Sequence, residues 1–167
     1  MNNSEHLLKF VRYNFCSGRL FWRKSPGGGI RANASAGHHA LARGKPVFMT
    51  LRFRGKLYLS HRVIWRIVTG SWPGKGIDHK DLNPWNNKFS NLREATQVQN
   101  CANVRVRRNS VSGLKGVGFN KHAGKYKAKI KIGPKQKHLG YFSDPLEAHA
   151  AYCRAAKEVF GEFARSN

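Results

Sequence analysis

The chain has 167 residues and carries 31 Lys and Arg against 8 Asp and Glu, a formal net charge of +23 with a pI near 10.8. Hydrophobic residues make up 40%, enough for packed cores, but no apolar run is long enough to span a bilayer and no signal-peptide core follows Met1. These features argue against a membrane role and imply a polyanionic partner, of which nucleic acid is the usual one. The three cysteines, Cys16, Cys101 and Cys153, form no CxxC pair. A disulfide framework and a cysteine-based zinc site are therefore not expected, a reducing intracellular compartment fits, and buried thiols are the default reading.

In chain order, residues 5–13 place Leu7, Leu8, Phe10 and Val11 at helical spacing. FCSGRLFWR reads as two short strands about a Ser-Gly turn, and residues 25–45, rich in Gly, Ala, His and Arg, as a loop. PVFMTLRFRGKLYLS alternates and turns at Gly55, a β-hairpin, and HRVIWRIVTG follows as a helix stopped by Gly70 and Pro73. GIDHKDL (76–82) and NLREAT (91–96) read as strands flanking the polar loop NPWNNKFS, and QVQNCANVRV (97–106) as a helix. Residues 107–113 read as a linker. KGVGFN, GKYKAKIKI and KHLGYF then suit a three-stranded antiparallel meander, with Tyr126, Ala128 and Ile130 on one face and Lys127, Lys129 and Lys131 on the other. DPLEAHAAYCRAAKEVF closes the chain as a helix, with Asp144 as N-cap, Pro145 in the first turn, Glu147 completing a capping box, and Gly161 as its stop.

The acids say more than the bases. Between Glu5 and Asp144 the only carboxylates are Asp78, Asp81 and Glu94. A phosphate-binding surface excludes like charge, so a carboxylate retained there needs a reason. Holding a divalent cation against a phosphate is one. A local ion pair with a neighbouring Lys is the plainer one, and it suits Asp81 and Glu94. Hydrolysis of a phosphodiester needs a base to activate water and a cation to stabilise charge on phosphorus and the leaving oxygen. Asp78 and His79 are adjacent at a strand end, and Asn100 follows Asp78 by 22 positions on the expected helix. Asp and an Asn carbonyl are hard oxygen donors suited to Mg²⁺, and a neutral His is a suitable base.

HRVIW, IDHKD, NPWNN, NLREAT and QN, in that order over about residues 46–103, resemble the HNH nuclease family, in particular phage- and intron-type homing endonucleases with a ββα-metal centre. The resemblance implies His79 as general base, Asp78 and Asn100 as metal ligands, and Asn91 as a residue that pins the loop and helps to orient His79. Asn86 and Asn87 would mainly shape the loop. Some members of the family carry a second His where this chain has Asn100, which favours Mg²⁺ or Mn²⁺ over zinc. His61 reads as a packing residue at a helix start, by about two to one over a catalytic role for a single motif residue.

KGV, GKYKAKI, LGYF, EAHAAYCRAA and FGEFARSN, spanning nearly all of residues 111–167, resemble the AP2/ERF DNA-binding domain. That implies a sheet laid in the major groove and backed by the helix. Lys127, Lys129, Lys131 and His138 would face DNA, with Lys115, Lys125, Lys137, Arg105, Arg107 and Arg108 adding to the basic surface. Lys grips phosphate as a point charge where Arg would read guanine with two hydrogen bonds, so the target sequence does not carry over.

The expected architecture is α+β: an N-terminal β-rich extension (1–45), a ββα-metal nuclease domain (46–106), a linker (107–113), and a three-stranded antiparallel sheet with one helix, AP2-like (114–167). The expected function is Mg²⁺- or Mn²⁺-dependent hydrolysis of double-stranded DNA in the cytoplasm of a bacterial host, by a phage- or prophage-encoded protein. One centre per chain predicts nicking, and monomer or homodimer is left open. A catalytically inactive DNA-binding regulator and an RNA-binding protein are the rival readings.

Overall fold

A computed structural model describes residues 3–42, 45–106 and 110–166. The chain divides into two compact units, Met1–Glu94 and Ala95–Asn167. This division differs from the expected one at two places. The N-terminal extension shares a core with the nuclease segment, and the helix after NLREAT is grouped with the C-terminal unit.

In the first unit, α1 (Asn3–Phe10) runs directly into the hairpin β1 (Val11–Asn14) and β2 (Arg19–Trp22). The helix is shorter than expected because Val11 and Tyr13 alternate into the core as strand residues, and Phe15 and Cys16 fall in the turn. Next come β3 (His38–Ala42), β4 (Lys45–Phe53) and β5 (Lys56–Leu59), an antiparallel sheet in the order β3-β4-β5. The β4–β5 turn uses Arg54 and Gly55 at φ 48 and 76, both left-handed, the backbone that a two-residue hairpin turn demands. β3 lies within the stretch read as loop.

α2 (Ser60–Thr69) buries Ser60, His61, Val63 and Ile64 on one face and ends at Gly70, whose φ of 79 lets its N–H reach the Arg66 carbonyl. The core joins Leu7, Val11, Leu20 and Trp22 to Leu51, Phe53, Val63, Ile64, Ile77 and Leu92. Each such side chain contributes roughly 1.5–3 kcal/mol on burial, so the extension is integral to this unit. β6 (Gly76–His79) and β7 (Leu92–Ala95) pair with each other and frame the intervening polar loop.

In the second unit, α3 (Gln97–Ala102) opens with a capping box between Thr96 and Gln99 and stops short of the expected 106. β8 (Val117–Asn120), β9 (Lys125–Ile132) and β10 (Lys135–Phe142) form an antiparallel sheet in the order β10-β9-β8. α4 (Pro145–Phe160) buries Ala148, Tyr152, Ala156 and Phe160, and its Asp144 cap accepts from Glu147 N. Ala128 and Ile130 lie in the cores beneath the sheet. Gly116 has φ 76 and lies against Tyr152, whose ring a β-carbon there would strike at 2.1 Å, so this turn needs glycine on two counts.

The expectation of three buried thiols is corrected. Cys16 and Cys101 are exposed and Cys153 is half-buried, because Cys16 sits in a turn and Cys101 on the outer side of a short helix. No helix among the described residues is long and apolar enough to cross a membrane.

Candidate active site

β6 ends on Asp78 and His79, both buried at 6% exposure. The chain then leaves the strand in a turn closed by Leu82 N–H to the His79 carbonyl, 2.9 Å, with Leu82 itself at φ 63. A branched residue in left-handed backbone is held there only when its surroundings fix it. Asp81 supplies that fixing. Its carboxylate accepts Asn83 N–H at 2.8 Å, the Asn86 amide at 2.7 Å and the Asn91 amide at 2.9 Å. Burial pushes the Asp81 carboxyl up, but these donated hydrogens outweigh it and hold the group below its ordinary value. Asp81 and Glu94 are therefore not simple partners of neighbouring lysines. Glu94 accepts the backbone N–H groups of Gly74 and Lys75.

Asn91 ties the loop at both ends, giving its amide to Asp81 and to the Asn86 carbonyl while its oxygen accepts Asp81 N–H. Asn87, in the same loop, meets His79 directly. His79 Nε2 lies 3.0 Å from Oδ1 of Asn87, which is 2% exposed. An amide oxygen only accepts, so with this assignment His79 Nε2 carries a proton and donates it to Asn87. Asn87, read from the sequence as a loop-shaper, thus also contacts the His79 ring nitrogen. The NN doublet is visible in the sequence, but which of its two amides turns inward is not.

His61, at the start of α2, is 5% exposed and meets the His79 ring edge-on at 5.4 Å and 89°. Burial, aided by the nearby His79 and Arg62, pushes its pKa down to about 4, so it packs as a neutral ring. An unfolded chain takes up this proton near 6.5, so between that pH and about 4 the unfolded state binds a proton the native state refuses. Stability from this site is full above the window and falls with pH across it, by roughly 3 kcal/mol in all. Urea denaturation at about pH 7 and pH 4.5 checks this, and His61→Leu is expected to remove most of the dependence.

Asp78 accepts Arg93 Nε at 2.9 Å, with side chains only 7% and 12% exposed. Arg93, in the NLREAT segment, does not stand out in the sequence, because an Arg among so many gives no signal of its own. Asp78 is the one buried carboxylate here. Mg²⁺ commonly takes one or two carboxylates and completes its shell with water and phosphate oxygen, which suits such a donor. Among the described residues no group of three His, Cys, Asp or Glu gathers. Asn100 lies half-buried on α3 in the second unit, its N–H on the Thr96 carbonyl.

Of the basic residues expected to meet DNA, Lys125, Lys127, Lys129 and Lys131 alternate on the face of β9 opposite Ala128 and Ile130, and Lys129 pairs with His138. Tyr141, paired with Lys127 and 4.7 Å from the His138 ring, adds an exposed aromatic to this face. Two placements differ from expectation. Lys137 pairs with Ile130, on the other side of the pleat, although it is exposed at the sheet edge. Lys115 turns inward, giving its ammonium to the Ala102 and Val104 carbonyls at 2.5 and 2.7 Å. Burial, with Arg165 nearby, lowers its pKa. Arg105 is exposed. Arg107 and Arg108 lie outside the described residues.

Residues 58–102 match the model of the family described as HNH endonuclease. The chain is 35% identical to Protein 3.8 of Escherichia phage T7 over 106 residues, covering 63% of this chain and 87% of that protein. The chain carries an HNH endonuclease domain over residues 58–102. It is also 33% identical to the Uncharacterized HNH endonuclease L560 of Acanthamoeba polyphaga mimivirus over 114 residues, 68% of this chain and 58% of that protein. The HNH match begins in β5 and ends with α3, so it takes in His61, the Asp78–His79 strand end and the whole Asn-rich loop.

Proposed function

We propose that this chain is a metal-dependent endonuclease that hydrolyses phosphodiester bonds of double-stranded DNA, of homing type, cutting one strand per engagement. The observation that carries the proposal is the buried His79, its Nε2 on Asn87 and its neighbour Asp78 also buried, within an HNH segment. His79 takes the proton of the attacking water on Nδ1 as the oxygen adds to phosphorus. Asn87 holds the ring and stabilises the imidazolium that results, since a carbonyl oxygen accepts more strongly from a cation. A divalent cation, Mg²⁺ or Mn²⁺, bound through Asp78 would supply charge stabilisation at phosphorus and the leaving oxygen. Asn100 is proposed as a second ligand on the strength of the sequence resemblance. Asn91 keeps the loop closed. Relatives in a bacteriophage and a giant virus support a virus-encoded protein acting on DNA within an infected cell. Metal-dependent conversion of a supercoiled plasmid to nicked circles tests the proposal.

The second unit is proposed to supply the affinity, as an AP2/ERF-like domain with its lysine face on the duplex. Replacing Lys127, Lys129 and Lys131 together with Ala is expected to weaken binding to all sequences alike. Each phosphate left without its lysine lowers the slope of log affinity against log salt by about 0.9, so the slope falls by about 2–3. Fluorescence anisotropy across a salt series, with EDTA present, checks this. An unchanged slope would move the DNA-binding face to another surface, and preference for duplex RNA would favour the RNA-binding reading.

One observation favours a second reading. The carboxylate proposed to hold the cation is already engaged by Arg93, as suits a regulator that binds DNA without cutting it. The plasmid assay separates the two.

A further inference from the structure

The N-terminal hairpin, for which the sequence offers no site, grips the loop that carries Asn87. Tyr13 of β1 is 9% exposed. Its hydroxyl donates to the Asn87 carbonyl at 3.2 Å and accepts the Phe89 N–H at 2.8 Å, closing a ring across residues 87–89 from 74 and 76 positions away in the chain. The turn after β1 meets the same peptide from its own side. Gly18, at φ 71, lies so close that a β-carbon would fall 2.6 Å from Lys88 N and 3.0 Å from the Asn87 carbonyl carbon. Two independent approaches from one hairpin therefore converge on the backbone of a residue whose side chain meets His79. Burial pushes the Tyr13 hydroxyl pKa up, against a smaller opposing effect of the Phe89 hydrogen bond, so the group keeps its proton and remains a donor.

We infer that Tyr13 is a positioning residue of the centre: by clamping residues 87–89 it fixes the Asn87 amide, and through it the Nε2–H tautomer and ring orientation of His79. The chain of hydrogen bonds is short. Tyr13 Oη bonds the Asn87 backbone, and Asn87 Oδ1 bonds His79 Nε2. A loop released at Asn87 lets the amide swing, and an imidazole free to exchange tautomers presents the wrong nitrogen to the water part of the time. The inference rests on the reading of His79 as the base only for its effect on rate; its effect on the tautomer is independent of that reading.

Tyr13→Phe keeps the ring in the core and removes both hydrogen bonds. Long-range ¹⁵N–¹H correlation spectra of the metal-free full chain report the His79 tautomer directly. The wild type is expected to show protonated Nε2 and unprotonated Nδ1, and Tyr13→Phe a mixture. The nicking rate per folded molecule should fall roughly ten- to hundred-fold, as when other groups that orient a reacting residue are removed, while DNA affinity measured in EDTA stays unchanged. Gly18→Ala attacks the same peptide from a different side and should move the same resonances. A merely structural role for Tyr13 would lower the melting temperature and leave the tautomer as in the wild type. An unchanged His79 tautomer in both variants overturns the inference, whether or not the wild type cuts. A shifted tautomer in a chain that never cuts upholds the clamp and removes the reading of His79 as base.

Discussion

His79→Ala is expected to leave a folded protein that binds DNA and nicks it about 10²–10⁴-fold more slowly, the range for loss of a general base. The residual rate would come from solvent hydroxide and from whatever charge stabilisation the bound cation still supplies. A side effect is built into the geometry. Removing the imidazole leaves the Asn87 amide oxygen, 2% exposed at the residue level, without the donor 3.0 Å away. A buried acceptor deprived of its partner costs about 1–3 kcal/mol, so the rate must be compared per folded molecule and at a temperature well below the variant's transition. Single-turnover plasmid nicking with excess enzyme, alongside binding measured in EDTA, separates an effect on chemistry from an effect on affinity.

Asp78→Ala has a different signature: it loses activity and stability together. The carboxylate is 2.9 Å from Arg93 Nε and both side chains are largely withdrawn from water. Breaking a buried pair from one side is strongly destabilising, about 3–5 kcal/mol, because the guanidinium stays behind in a site that hydrates it poorly. By contrast, the exposed Glu5–Arg66 pair, at 47% and 22%, contributes at most about 1 kcal/mol. Substituting Arg93→Leu as well should restore part of the stability of Asp78→Ala, since the largely buried guanidinium is then removed too, but none of the nicking. Asp78→Asn preserves shape and still loses nicking by at least roughly 100-fold, because a neutral amide is a poor substitute for a carboxylate in charge stabilisation worth several kcal/mol. Urea denaturation and the nicking rate, measured for the wild type, Asp78→Ala, Arg93→Leu, the double variant and Asp78→Asn, check both halves. Full nicking by Asp78→Asn would remove Asp78 from the centre.

What can be read from the sequence, and what cannot, follows the range of the interactions involved. Gly70 after α2, Gly55 in the β4–β5 turn and Asp144-Pro145 at the start of α4 are local signals, and each marks a boundary close to where it lies. The strict alternation of β9 likewise separates Ala128 and Ile130 from the lysines. The HNH resemblance finds the Asp78–His79 strand end and the Asn-rich loop. Within that loop, however, the roles of Asn87 and Asn91 depend on a backbone path set by Leu82 at φ 63 and by the three donors on Asp81. No spacing rule encodes that path. Tyr13 and Gly18 are out of reach because their partners lie some 70 or more positions away. Lys115 and Lys137 depart from expectation for a simpler reason. Charge density shows that a surface is basic, but only the pleat and the carbonyls left open at the end of α3 decide which lysines face outward.

The central claim is that this HNH chain cuts DNA through a metal-dependent centre built on His79 and Asp78. It is tested most directly by incubating the wild-type chain with supercoiled plasmid in Mg²⁺ or Mn²⁺, beside an EDTA control and His79→Ala. Nicked circles that form with the metal, fail to form in EDTA and nearly vanish in His79→Ala are the predicted result. Tight binding without nicking by the wild type, on DNA that includes its native locus, would contradict the claim and leave the protein a DNA-binding regulator.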